Sequence, residues 1–187
     1  MANSDITKRA IASAFLQLLE KKSFDRITVT AIAATCGINR QTFYYHFHDI
    51  YDLLSWIVED SVESFMNETA QYDWQHKMVA ILMAFQNSQG LVIKLFCTTD
   101  VAFFYHLLRD KIYELVLAEL DERCSDLPTC ARDREVVADF YTGGLIELLL
   151  TWIESGMRDA PEVVVHRWEN ALQSETLMRF SSVSRAN

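Results

Sequence analysis

Two adjacent residues near the start of the chain, Arg40 and Gln41, carry the side chains best suited to reading DNA base edges. A guanidinium presents a planar fork to guanine O6 and N7, and a glutamine amide matches adenine N6 and N7. Each good bidentate contact contributes ~1–3 kcal/mol of discrimination. Thr42, Tyr44 and His46 follow within six residues and can donate to phosphate oxygens through hydroxyl or imidazole groups. Thr28 or Thr30, at the start of a preceding helix, can do the same. Such contacts position a protein on a duplex without reading its sequence.

These side chains need a framework that aims them. Ile6, Ala10, Ile11, Ala14, Phe15, Leu18 and Leu19 recur at three- and four-residue spacing, which predicts an amphipathic helix from Ser4 to Leu19. Thr28 or Thr30 caps a short second helix through Ile32 to Cys36, and Gly37 follows where the chain needs positive φ. Asn39 caps a third helix, Arg40 to about Phe47, and both Asn39 and Tyr45 belong with the candidate DNA-contacting residues. Two short helices around a glycine-bearing turn form a helix-turn-helix. Its second helix turns Phe43 and Phe47 inward and Arg40, Gln41, Tyr44 and Tyr45 outward.

Other chemistry finds less support. Cys36, Cys97, Cys124 and Cys130 are scattered, and the six-residue step between the last two matches no close-spaced zinc pair. Free thiols in a reducing compartment are the simplest reading. Asp110, Glu114, Asp121 and Glu122 fall on a helix that must have a solvated face. No nucleophile elbow, phosphate loop or Ser/His/Asp order is visible. The expectation is therefore no catalytic residue, no metal and no cofactor.

Half of the 187 residues are hydrophobic, which excludes a disordered chain. Five Gly and two Pro are too few for a many-stranded β-protein, so an all-α fold is expected. The longest unbroken apolar run, Met78 to Phe85, is too short to span a bilayer, and the polar start lacks a signal-peptide pattern. A cytoplasmic protein with no membrane partner is expected. Net charge is −9, unevenly spread: residues 1–55 sum to +1 and residues 56–187 to −10. A polyanion would meet the near-neutral head rather than the acidic body.

Beyond a boundary placed at residue 48, a helix starting at Asp49 carries Leu53, Leu54, Ile57, Val58, Val62, Phe65 and Met66. Helices follow from Trp74 to Phe85, briefly from Leu91 to Phe96, and from Thr99 or Asp100 to Leu120. Residues 121–129, with Pro128, read as a loop, and two last helices span 132–155 and 161–180. Helix 132–155 is apolar nearly all round, so one face of its own domain cannot cover it. Its Gly143-Gly144 pair is costly in a helix unless another backbone approaches closely. Phe140, Gly143, Gly144, Leu148 and Trp152, with Val164, Trp168 and Leu172 of the last helix, form the expected dimer interface, a four-helix bundle between subunits. Trp56, Phe85, Phe103 and His106 are candidates for lining an effector pocket.

The run Thr28-Val29-Thr30-Ala31-Ile32-Ala33, with Gly37-Ile38-Asn39-Arg40-Gln41-Thr42-Phe43-Tyr44-Tyr45-His46-Phe47, resembles the TetR family of bacterial transcriptional regulators. The resemblance covers about residues 5–55. Arg40 to Tyr44, Leu53-Leu54-Ser55-Trp56-Ile57 and Tyr72-Asp73-Trp74-Gln75 are similar to the branch containing activators of dihydroxyacetone-kinase operons. Where the family commonly carries a lysine after the Phe and then a glutamate, this chain has Ile50 and Tyr51, so one phosphate-binding cation is missing. Lys8, Arg9, Lys21, Lys22 and Arg26 are the cations that could replace it.

The resemblance implies a helix-turn-helix DNA-binding domain (1–48) joined to an all-helical effector-binding and dimerisation domain (49–187). It further implies a homodimer on a near-palindromic double-stranded operator, switched by a small molecule in the body. The narrower similarity implies instead a protein co-regulator, a kinase-like partner. A third alternative is a helical interaction module or enzyme with a vestigial DNA-binding head.

Overall fold

The computed structural model describes residues 2–98, 101–124 and 130–173. Nine α-helices and one 3-10 turn account for nearly all of them, with no strand among the described residues. The fold is all-α.

Helix α1, Ala2–Lys21, buries Ile11, Ala12, Ala14, Phe15 and Leu19. Its apolar stripe starts later than the sequence pattern suggests: Ile6 is 66% exposed and Ala10 also faces solvent. A 3-10 turn, Phe24–Arg26, then tucks Phe24 against Phe15 edge-on, with ring centroids 6.2 Å apart.

Helix α2, Val29–Cys36, is capped by Thr28, whose hydroxyl oxygen accepts from the Ala31 N–H. Gly37 ends it at φ +72°. No atom lies within 4 Å of a Cβ built there, so the backbone conformation and not crowding calls for glycine. Helix α3, Arg40–His46, is capped by Asn39, whose side-chain oxygen accepts from the Thr42 N–H at 2.8 Å. Asp49 caps α4, Ile50–Glu68, in the same way through the Asp52 N–H.

The rest of the chain forms α5, Trp74–Asn87; α6, Gln89–Thr98; α7, Val101–Cys124; α8, Cys130–Glu154; and α9, Pro161–Gln173. Helix α7 runs on through Asp121 to Cys124, where the sequence suggested a loop, because no breaker precedes Pro128. Pro128 and the proposed Thr99 or Asp100 cap fall outside the described residues.

Helices α7 and α8 pack side by side, clasped by ion pairs from Arg109 to Asp139 and from Arg134 to Asp121. The segment Arg134–Glu154 is long and apolar enough, by composition, to cross a membrane. Here it works as a core helix, burying Ala138, Thr142, Leu145, Ile146, Leu149, Trp152 and Ile153. A continuous apolar core runs from Ile11 and Phe15 in α1 to Val165 and Trp168 in α9.

Candidate nucleic-acid interface

Helix α3 is only seven residues long, too short to be stable alone, and tertiary contacts hold it. Phe43 is fully buried and Phe47 is 3% exposed, pinning one side of α3 to the core. Their rings lie 5.9 Å apart, and Phe47 meets Trp56 of α4 at 5.8 Å. This anchoring leaves Arg40, Gln41, Tyr44 and Tyr45 on the solvent side, with Tyr45 84% exposed. His46 is half-buried and meets the Tyr45 ring edge-on at 5.0 Å.

Hydrogen bonding decides which donors are free. The Thr42 hydroxyl donates to Asn39 Oδ1 at 3.0 Å, so while the cap holds it cannot also donate to a phosphate. Thr28 is the reverse case: its oxygen is used by the cap and its own proton remains available. Thr30 is exposed on the first turn of α2.

Among the cations considered as substitutes for the missing lysine, Arg9 is committed. It makes a two-pronged ion pair with Asp60 of α4, Nη1 to Oδ2 at 2.9 Å and Nη2 to Oδ1 at 2.7 Å. Lys8 lies over the rings of Phe47 and Trp56, its Nζ 5.5 Å from each centroid, close to the C-terminal end of α3.

Further links join the front of the chain to the rest. Lys94 of α6 donates to the carbonyls of Leu19 at 3.0 Å and Glu20 at 2.7 Å, in the last turn of α1. Tyr51, where the resemblance led one to look for a glutamate, stands between Phe24 and Phe103, with ring centroids 5.1 and 4.8 Å away. Sequence reasoning assigned Lys94 and Asp60 no role. Their partners lie 75 and 51 residues away, and no local spacing signals them.

Among the cavities formed by the described residues, the four residues suggested for an effector pocket do not share one. Trp56 lines an open groove of about 400 Å³ between α1 and α4 that crosses the Arg9–Asp60 pair. Phe85 and Phe103 pack against the core, and His106 is exposed. A cavity inside the body is lined instead by Trp74, Met78, Ile81, Leu82, Ile112, Leu115, Leu145, Leu149 and Trp168, and holds about 30 Å³. That is roughly a tenth of the smallest typical ligand pocket, ~300 Å³.

The expected dimer face also divides. Trp152, Val164 and Trp168 are no more than 8% exposed in the single chain, so they belong to its own core. The all-round apolar pattern of α8 does not say which arc its own neighbours cover. Phe140 and Leu148 are 66% and 37% exposed, Gly144 is exposed and Gly143 half-buried. Neither glycine has any atom within 4 Å of an added Cβ, so the close approach anticipated there does not come from within the chain. Leu172 lies outside the described side chains.

With this geometry in place, comparison with known families is decisive. Residues 11–56, which hold most of α1 and all of α2 and α3, match the model of bacterial regulatory proteins of the tetR family. Residues 72–174, more than half of the chain, match that of a transcriptional regulator C-terminal region. The chain belongs to the TetR family of transcriptional regulators.

Within the family it is 35% identical over 97 residues to the HTH-type dhaKLM operon transcriptional activator DhaS of Lactococcus lactis subsp. lactis (strain IL1403). That match spans 51% of this chain and 52% of the relative. A solved structure of a dihydroxyacetone kinase operon activator DhaS superposes with a TM-score of 0.69 at 25% identity, covering 91% of this chain and 96% of that one. A TetR transcriptional regulator from Streptococcus agalactiae 2603V shares the fold, with a TM-score of 0.62 at 22% identity, covering 89% and 93%. These relatives are regulators rather than enzymes.

Proposed function

We propose that this chain binds a near-palindromic operator in double-stranded DNA as a cytoplasmic homodimer. Residues 1–48 act as the DNA-binding head and 49–187 as the regulatory and dimerisation body. The observation that carries this reading is the outward row Arg40, Gln41, Tyr44 and Tyr45 on a helix clamped from behind by buried Phe43 and Phe47. Two such helices, one per subunit, would enter successive major grooves about 34–36 Å apart. Arg40 and Gln41 read base edges. Asn39 (through its amide), Thr28, Thr30, Tyr44 and His46 contact phosphates, and Thr42 serves the cap. Exposed Phe140, Gly144 and Leu148, half-buried Gly143 between them, and exposed Val136 and Val163 support pairing of α8 and α9 between two copies.

A small molecule in the body was the first expectation for the switch. Among the described residues the cavity inside the body holds about 30 Å³, which supports the alternative, a protein co-regulator docking on the body. The role of the two DhaS relatives, activation of an operon, supports activation as the sign of control.

Selection from random duplex DNA by the purified protein at ~0.1 M salt tests the reading. A selected near-palindrome with half-sites one helical turn apart is expected. Failure to enrich any sequence, alone or with cell extract added, would overturn it.

A further inference from the structure

On α3 the guanidinium of Arg40 lies over the ring of Tyr44, one turn further on, with its carbon 5.9 Å from the ring centroid. Its Nη2 also donates to the Tyr44 hydroxyl at 3.5 Å. The Tyr44 ring in turn meets the fully buried Phe43 edge-on, with centroids 5.6 Å apart and planes at 88°. A chain of contacts thus runs from the core through Phe43 and Tyr44 to the fork of Arg40. No salt bridge among the described residues involves Arg40.

We propose that Tyr44 is a positioning residue for Arg40, a determinant of base specificity beyond a phosphate contact. The inference rests on the DNA-binding reading above. A free arginine on a short helix samples many rotamers, and selecting one is a cost of every base contact it makes. The contacts with the Tyr44 ring and hydroxyl restrict the guanidinium before DNA arrives. Only one of its five N–H donors is spent on the tyrosine oxygen, leaving enough to reach guanine O6 and N7 together. The tyrosine accepts that bond and keeps its own proton, which it can donate to a phosphate oxygen. One side chain then serves two contacts, and losing it has a sequence-specific part as well as a uniform part.

The experiment uses the full-length protein, the duplex it selects and single-base variants of that duplex. Wild type, Tyr44→Leu, Tyr44→Phe, Arg40→Ala and the Arg40→Ala/Tyr44→Leu double variant are compared at one salt concentration. Helical content and melting temperature are checked for each variant. Arg40→Ala identifies the base pair it reads by flattening preference there. Tyr44→Leu is expected to reduce discrimination at that same pair by about two- to five-fold. It should have no further effect on that discrimination when Arg40 is already Ala. Tyr44→Phe keeps the ring and its packing on Phe43. It should retain most of the discrimination while binding every sequence more weakly.

Uniform weakening of all sequences by Tyr44→Leu, with discrimination unchanged, would overturn the proposal and leave DNA recognition intact. An equal loss of discrimination in the Arg40→Ala background would overturn it as well. If wild type selects no sequence, the DNA-binding reading fails first and this inference falls with it.

Discussion

Arg9 of α1 and Asp60 of α4 meet through both terminal guanidinium nitrogens and both carboxylate oxygens, across 51 residues of sequence. The bond ties the helix supporting the recognition unit to the helix leading into the body. Arg9 is 63% exposed and Asp60 28%, so solvent screens the pair. A double-mutant cycle with Arg9→Ala and Asp60→Ala should give a coupling of ~0.5–1 kcal/mol that shrinks as salt is raised. A coupling of zero at low salt would mean the contact does not hold the helices together.

Lys94 is the more consequential link. Its ammonium closes two carbonyls at the C-terminal end of α1, where the helix dipole favours a cation. Lys94→Met keeps the apolar stem and removes the donor. A loss of about 1–2 kcal/mol is expected, with faster amide hydrogen exchange in residues 20–26 and little change in α8. Uniform acceleration across the chain would argue against a local cap.

Gly37 offers a test of backbone conformation separated from packing. There is open space for a Cβ, yet φ is +72°. Gly37→Ala should therefore cost ~1–2 kcal/mol through the left-handed conformation alone. Gly37→Asn should cost less, because Asn tolerates that region. Thermal melts of the two variants distinguish this from a steric effect, which would rank the larger Asn as worse.

Phe140 is the most direct probe of oligomeric state. It is 66% exposed in the single chain, so Phe140→Glu should change monomer stability by no more than ~0.5 kcal/mol. Sedimentation should show a dimer for the wild type and a monomer for the variant. A Phe140→Glu protein that remains dimeric would place the interface elsewhere.

Asp73 is the N-cap of α5 and links that helix to pH. Its carboxyl lies below its ordinary value of 3.8, first because the His76 backbone N–H donates to it and next because the His76 side chain hydrogen-bonds to it. A depressed carboxylate pKa means the cap is fully effective above that ordinary value and is lost as pH falls through the lower, folded value. Amide exchange at the start of α5 should accelerate in that acidic window, and Asp73→Asn, which keeps an acceptor oxygen, should remove the pH dependence. An unchanged acid response in the Asn variant would assign the effect to another group.

The sequence by itself determined the helices that build the candidate interface. Asn39, Thr28, Asp49 and Gly37 act within three or four residues of themselves, and hydrogen bonds over that range depend little on the rest of the fold. The inward turn of Phe43 and Phe47 followed from their four-residue spacing for the same reason. Tertiary structure alone decided which arc of α8 is spare, placing Trp152 inside and Phe140 outside, because an all-round apolar helix carries no periodic signal to separate them. It also joined Lys94 to Leu19 and Arg9 to Asp60. Those outcomes depend on how helices far apart in the chain cross and interlock, a geometry set by the packing of all their side chains together.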